Sequence, residues 1–236
     1  HQRSNGRKLR NHAGKEITME KALEELLGLG TTTVSDACDR LGINAQAVGI
    51  MPLDRNFRLA GRAFTVKTIP SANVNPGNVG DYIDEVKEGQ VVVLDNEGKP
   101  NATVWGDILT IMSHRNKLAG TVIHGVCRDA SRSLDLGYPI FSRGNTMRTG
   151  KDRVECVGIN EQCSLGEVHV NPNDVLIGDA DGVVVIPQER VDEVLKIGKE
   201  IEAAEDNIRA EIAKGSRLDA AREKFRYHAL QTRSEK

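Results

Sequence analysis

Aromatic residues make up only 3% of the 236-residue chain, with a single tryptophan. Surfaces that hold single-stranded nucleic acid stack bases on aromatic rings, so this scarcity speaks against such a surface. An excess of charge of one sign is also missing: 32 Lys and Arg face 34 Asp and Glu, a formal net charge of −2. That balance gives no global electrostatic case for nucleic acid or for an anionic membrane. No apolar run approaches the ~18 residues of a spanning helix, and no signal-peptide core is present. The four cysteines, Cys38, Cys127, Cys156 and Cys163, form no CxxC pair and have no histidine at zinc-site spacing. They read as reduced thiols, and the expected location is cytoplasmic. A Walker loop, a GxGxxG fingerprint and internal repeats are absent as well.

What is present is the balance of a globular protein, 39% apolar and 28% charged, in a chain long enough to bury a good core. Residues 1–15 are basic and almost without apolar side chains, which predicts a disordered leader; a basic arm for an anionic partner is the other reading. Met19, Ala22, Leu23, Leu26 and Leu27 recur at helical spacing and stop at Gly28 and Gly30. Thr33, Ser35 and Asp36 offer caps for a short helix through Leu41, closed by Gly42. Residues 61–69, GRAFTVKTI, alternate like a half-buried strand. Lys67 on it is weighed as a Schiff-base lysine against a side chain pointing to solvent. Residues 71–80 form a turn-rich loop of the kind that lines sites, and 81–86 a helical turn.

Further along, 173–178 and 182–187 are apolar strands around Asp179, Ala180, Asp181 and Gly182. Two carboxylates there suit a metal loop, but Asp-Gly between apolar strands favours a hairpin. Pro187 opens a helix over 187–215, where Val194, Ile197, Ile201, Ala204, Ile208 and Ile212 step by threes and fours. That seam is expected to pack on the domain or on a neighbouring subunit. Residues 216–236 read as a polar tail ending in a short helix. The expected organisation is one α/β domain over 16–236 with a C-terminal helical extension.

The chain is organised around residues 103–133. Runs VVVL at 91–94 and TVI at 121–123 are short, continuous and β-branched, the pattern of buried strands. Trp105, Ile108, Leu109 and Met112 place a helix between them, over 106–116. Asp129 sits where the next helix needs a cap. Two parallel strands joined by a helix bring both strand-to-helix loops to one sheet edge, where open α/β folds bind ligands. Asp107 and the pair Arg128 and Asp129 are therefore expected to face one crevice. Residues 138–141 form another strand, and the loop 142–152 carries Arg143, Arg148 and Lys151. Those cations suit an anionic substrate tail or simply a solvated loop.

If Gly106 and Asp107 begin a helix, the N–H groups of Ile108 and Leu109 are unsatisfied donors at a positive dipole end, suited to a carboxylate. Asp107 alone reads as a cap, and adjacent Arg128 and Asp129 as a solvated pair. Taken together they make a sharper arrangement. Asp129 binds a hard divalent cation, Asp107 orients a metal-bound water, and Arg128 faces negative charge developing on a substrate oxygen. Magnesium often takes only one or two carboxylates, so a single ligating Asp suffices.

The segment WGDILTIMSHRNKLAGTVIHGVCRDASRSLDLGYPIFSRG resembles the core of the RraA-like proteins. The resemblance extends to TTTVSDACDRLG, GRAFTVKTIP and NPNDVLIGDADGVVVIP, and its most specific part is the Gly-Asp helix start with Arg-Asp 21 and 22 residues beyond Asp107. That group includes metal-dependent 4-hydroxy-4-methyl-2-oxoglutarate aldolases, which also decarboxylate oxaloacetate, and regulators that inhibit an RNA-degrading enzyme. The resemblance implies a single swivelling-type β/α domain, layered β/β/α. It implies a Mg2+ or Mn2+ cofactor on Asp129, with Arg128 on the keto oxygen and Asp107 holding metal-bound water. Gly106 and the amides of Ile108 and Leu109 would meet the carboxylate of a 2-oxo acid. A glutamate from the C-terminal helix of an adjoining subunit, Glu202 or Glu205, would complete the site in a trimer or hexamer. Two departures stand out: His124 replaces the aspartate that many members carry before the glycine of the Arg-Asp strand, and GNTMRTGKD at 144–152 differs from the well-characterised aldolases. The expected function is a class II lyase that cleaves the C3–C4 bond of a 2-oxo acid through a pyruvate enolate. A regulatory binding protein and a Schiff-base aldolase are the rivals.

Overall fold

The computed structural model describes residues 8–10, 13–72 and 79–232. In chain order its strands and helices are β1 (Leu9–Arg10), β2 (Glu16–Ile17), α1 (Met19–Arg40), β3 (Met51–Pro52), β4 (Leu59–Pro70), β5 (Gln90–Asp95), α2 (Asp107–Arg115), β6 (Gly120–His124), α3 (Ala130–Leu136) and β7 (Ile140–Ser142). They continue as β8 (Val154–Ile159), β9 (Cys163–Leu165), β10 (Val168–Val170), β11 (Val175–Asp179), β12 (Gly182–Ile186), α4 (Val191–Ala213), α5 (Leu218–Lys224) and α6 (Tyr227–Gln231). Among these, no helix is long and apolar enough to cross a membrane.

The sheet runs β12-β11-β4-β5-β6-β7-β3. Its centre, β4 to β7, is parallel, with Val91 opposite Gly120 and Asp95 opposite His124. Parallel strands cannot be joined by a tight turn, so α2 and α3 make the crossovers. The apolar runs of β5 and β6 follow from burial on both faces. Val91 and Val93 pack inward with Phe141, Leu165 and Val185, while Val92 and Leu94 pack outward with Trp105, Tyr138 and Ile140 beneath α2 and α3. Residues 45–47 hydrogen-bond to β12, Ala47 N to Val183 O at 3.0 Å and Val185 N to Ala45 O at 2.8 Å, and so nearly close the sheet on itself. On the far side α1 and α4 cover β11 and β12 with Leu26, Val34, Val194 and Ile201. The fold is α/β, as expected.

The helix expected to stop at Gly30 and restart nearby is α1, kinked where Gly30 takes φ 81° and ψ 160°. Its first half is capped by Thr18, but the second half does not use the expected Thr33, Ser35 or Asp36. Asp179 reaches in from the β11–β12 hairpin instead, accepting from Thr31 N at 2.8 Å and Thr31 Oγ1 at 2.6 Å. Burial raises the Asp179 carboxyl, yet these bonds, with Asp181 N–H and the charge of Arg58, hold it below its usual range. The 179–182 segment is therefore a hairpin, Asp179 opposite Gly182.

Three expectations need correcting. Within the supposed leader, Leu9 and Arg10 pair antiparallel with Ile17 and Glu16; residues 1–7 and 11–12 lie outside the described residues, as do 73–78 of the expected loop. The helix expected over 187–215 begins as a 3-10 turn, Gln188–Arg190, before α4. The expected polar tail holds two helices, α5 and α6, because Ala221 is buried and Leu230 packs on the α1–α4 core.

Candidate active site

Beyond the carboxyl ends of β5 and β6 the two loops keep travelling side by side. Thr103 bridges Val126, Val104 N donates to Val126 O at 3.3 Å, and Arg128 N donates to Trp105 O at 3.0 Å. Trp105 is buried against Tyr138, with ring centroids 6.4 Å apart and nearly parallel planes. Its Nε1 donates to Thr110 Oγ1 at 2.9 Å, and that hydroxyl bonds Gly106 O at 3.1 Å, which pins the first turn of α2.

Asp129 stands at the start of α3 but does not cap it. Its backbone is left-handed, φ 56° and ψ 39°, a conformation that costs a non-glycine residue on the order of 1 kcal/mol and clusters at functional sites. The side chain turns instead to the other helix. Asp129 Oδ2 accepts from Asp107 N at 3.1 Å and lies 3.6 Å from Arg128 Nε. Its Oδ1 has no partner among the described residues, and the carboxylate is 42% exposed. Gly106 makes this approach possible, since a Cβ there would stand 3.1 Å from Asp129 Oδ2 and 3.3 Å from Arg128 Nε.

Gly106, Asp107 and Arg128 line a cavity of about 510 Å³; Asp129, bonded to Asp107 N, is not part of that lining. One wall is Trp105, Gly106, Asp107, Ile108, Leu109 and Arg128; the other is Thr149, Gly150 and Lys151, with Val79 and Gly80. The second wall is stitched to the first, for Thr103 N donates to Arg148 O at 3.0 Å and any Cβ on Gly150 would collide with Thr103 O. Gly106, Asp107, Ile108, Leu109 and Arg128 thus line one cavity, and Asp129 reaches them through Asp107 N. In the sequence the segment 149–151 stands out only for its charge; its contact with Thr103 leaves no local signal.

Other candidates fall elsewhere. Glu202 pairs with Lys199 at 3.2 Å, and Glu205 with Arg209 at 2.6 Å and Tyr227 Oη at 3.4 Å; neither lines the cavity of its own chain. Lys67 is exposed on β4 and away from the cavity wall, so the geometry does not favour a Schiff-base lysine there. His124 is held beside Asp95, Nδ1 to Oδ1 3.6 Å, and accepts from Gly166 N at 3.3 Å, a structural setting. Arg143 lies along Gly49, and Cys127 is buried behind the site loop, where burial pushes its thiol up and away from nucleophilic use.

A cation fits this arrangement in one way only. Among the described residues no three His, Cys, Asp or Glu side chains gather as ligands, which disfavours a zinc-type cage. A free carboxylate oxygen on Asp129, with Asp107 on the cavity wall, is a hard-oxygen donor set of the kind magnesium or manganese completes with water and substrate.

Comparisons with known proteins agree on the ancestry. The family described as RraA-like, Aldolase/RraA, matches residues 31–185. Protein DlpA of Legionella pneumophila is 38% identical over 214 residues, 89% of this chain; the chain spans only 34% of that protein's length. A protein of Halalkalibacterium halodurans named “Putative 4-hydroxy-4-methyl-2-oxoglutarate aldolase” is 35% identical over 176 residues, 75% of this chain and 81% of that one. An uncharacterized protein from Pseudomonas syringae pv. tomato superposes with TM-score 0.79 at 36% identity, covering 86% of this chain and 97% of that one. Streptomyces coelicolor RraAS2, described as an unusual member of the RNase ES inhibitor RraA family, gives TM-score 0.76 at 26% identity, covering 81% and 98%.

Proposed function

The chain belongs to the RraA-like family, and from that membership we propose that it is a divalent-cation-dependent carbon–carbon lyase acting on a 2-oxo acid. The observation that carries the reading is the reach of Asp129 across to the N-terminus of α2, against Asp107 and Arg128, both of which line the cavity. When bound at Asp129, magnesium or manganese supplies Lewis-acid stabilisation of negative charge.

The chain's own residues do the rest. The N–H groups of Ile108 and Leu109, at the positive end of α2, bind the substrate's C1 carboxylate. Arg128 faces the C2 keto oxygen. Asp107 takes the C4-hydroxyl proton, directly or through one water; the C3–C4 electron pair moves to C2–C3, and the keto oxygen takes up the charge. For a substrate with a carboxylate at C4 the same bond breaks with loss of CO2. Either path leaves a pyruvate enolate, whose oxyanion Arg128 stabilises, the effect that usually contributes most to such a rate. Protonation at C3 then releases pyruvate. In a trimer or hexamer, Glu202 or Glu205 of a neighbouring copy would share the proton relay.

The test is pyruvate release from 4-hydroxy-4-methyl-2-oxoglutarate, oxaloacetate and related oxo acids. Activity is expected to vanish with EDTA, return with magnesium or manganese, and fall at least a hundredfold in Asp129→Ala. EDTA-insensitive turnover, or full turnover by Asp129→Ala, would sink the reading. The likeness to RraAS2 supports a second reading, a regulator that binds an RNA-degrading enzyme; inertness toward every oxo acid would favour it.

A further inference from the structure

Of the three cations on the 142–152 loop, one alone lines the cavity. Arg143 lies along Gly49, and Arg148 lends its carbonyl to Thr103, whereas Lys151 lines the same cavity as Asp107 and Arg128. The nearby Arg153 is engaged too, its Nη1 donating to Thr149 O at 3.1 Å. No carboxylate pairs with the Lys151 ammonium among the described residues, which leaves an uncommitted positive charge beside a 510 Å³ hollow.

The backbone that carries it is held on several sides. Lys151 N donates to Thr149 Oγ1 at 3.2 Å, and Gly150 O accepts from Arg153 N at 2.9 Å and Val154 N at 3.0 Å. Gly150 itself is pressed so closely on Thr103 O that no side chain fits. Lys151 is therefore presented from a braced turn, the condition under which a flexible ammonium can discriminate between ligands.

We propose that Lys151 is the specificity-determining residue of the cavity, selecting 2-oxo diacids over 2-oxo monoacids by pairing with the carboxylate remote from the keto group. The inference rests on the lyase reading for the placement of the first carboxylate at α2. Arg128 and the α2 amides then serve the pyruvyl end, and the remaining negative end of a five- or six-carbon diacid meets Lys151, which lines the same cavity and has no carboxylate partner among the described residues. A cavity of this volume lies within the usual range for small-molecule sites and accommodates such a chain. A monoacid leaves Lys151 to solvent and gains nothing from it.

The experiment uses the intact protein with magnesium and the variants Lys151→Met and Lys151→Arg. Calorimetry reads the dissociation constants of pyruvate and of 2-oxoglutarate, a diacid. Lys151→Met is expected to weaken 2-oxoglutarate about tenfold and pyruvate less than twofold, with Lys151→Arg recovering most of the difference. In turnover the loss falls on KM for diacids, with kcat nearly unchanged, and spares 4-hydroxy-2-oxopentanoate, a monoacid. Equal weakening of both ligands, no change in either, or a wild type that binds 2-oxoglutarate no better than pyruvate overturns the assignment. Selective diacid binding without any turnover would remove the lyase reading and leave Lys151 its role. Turnover with unselective loss would do the reverse.

Discussion

Replacing Gly106 by alanine is the sharpest probe of the way the site is held. The residue's φ of −144° and ψ of −169° are extended backbone that alanine adopts freely, so the peptide itself is not strained. The added methyl arrives 3.1 Å from Asp129 Oδ2 and 3.3 Å from Arg128 Nε, inside the ordinary contact distance of roughly 3.5 Å. Both side chains must give way by a few tenths of an ångström. The bond from Asp107 N to Asp129 Oδ2, already 3.1 Å, then weakens or breaks. Losing that interaction at the N-terminus of α2 is worth about 1 kcal/mol. For a chain of this size such a loss lowers Tm by about 2 to 4 °C. Activity should suffer more, by about tenfold to a hundredfold in kcat/KM, the upper figure being the loss that a misplacement of about 1 Å brings. Differential scanning calorimetry and coupled pyruvate release read the two effects on one preparation. A Gly106→Ala protein with normal kcat/KM would refute the argument that this close packing holds the reacting groups.

Two further outcomes are expected. Asp179→Ala should lower stability by about 1 kcal/mol in urea unfolding, since it removes the cap of the second half of α1. The Asp179 carboxyl is depressed in the folded protein, so its contribution is present above the unfolded value near pH 4 and is lost as pH falls through the folded value; the gap between wild type and Asp179→Asn should be constant above about pH 5 and close below pH 4. Lys67→Met should turn over at the wild-type rate, and borohydride with pyruvate should not inactivate the protein; trapping at Lys67 would restore the Schiff-base alternative.

The parallel centre was legible because VVVL at 91–94 and TVI at 121–123 are the runs that a doubly covered sheet demands. From those two strands and one helix, the meeting of Asp107 with Arg128 and Asp129 followed by topology alone. What escaped was decided by partners distant in sequence. Strands β9 and β10 are three residues each, too short to show alternation, and are made by burial of Leu165 and Val168 inside the sheet. Asp129 looked like a cap for the helix that follows it and instead serves one that begins 22 residues earlier. The C-terminal residues looked polar because α5 and α6 dock through few apolar side chains, Ala221 and Leu230 among them, and through polar contacts such as Tyr227 with Glu205 and Lys224 with Glu211.

The grip of Asp179 on Thr31 spans 148 residues, and that separation has a consequence for biosynthesis. At a ribosomal pace of about 5 to 20 residues per second, the latter part of α1 waits roughly 7 to 30 s for the carboxylate that finishes it. During that interval an emerging chain displays Val34, Ala37 and Cys38 without the β11 and α4 surfaces that later cover them. Chaperone occupancy on stalled nascent chains should accordingly drop only once the β11–β12 hairpin has left the exit tunnel.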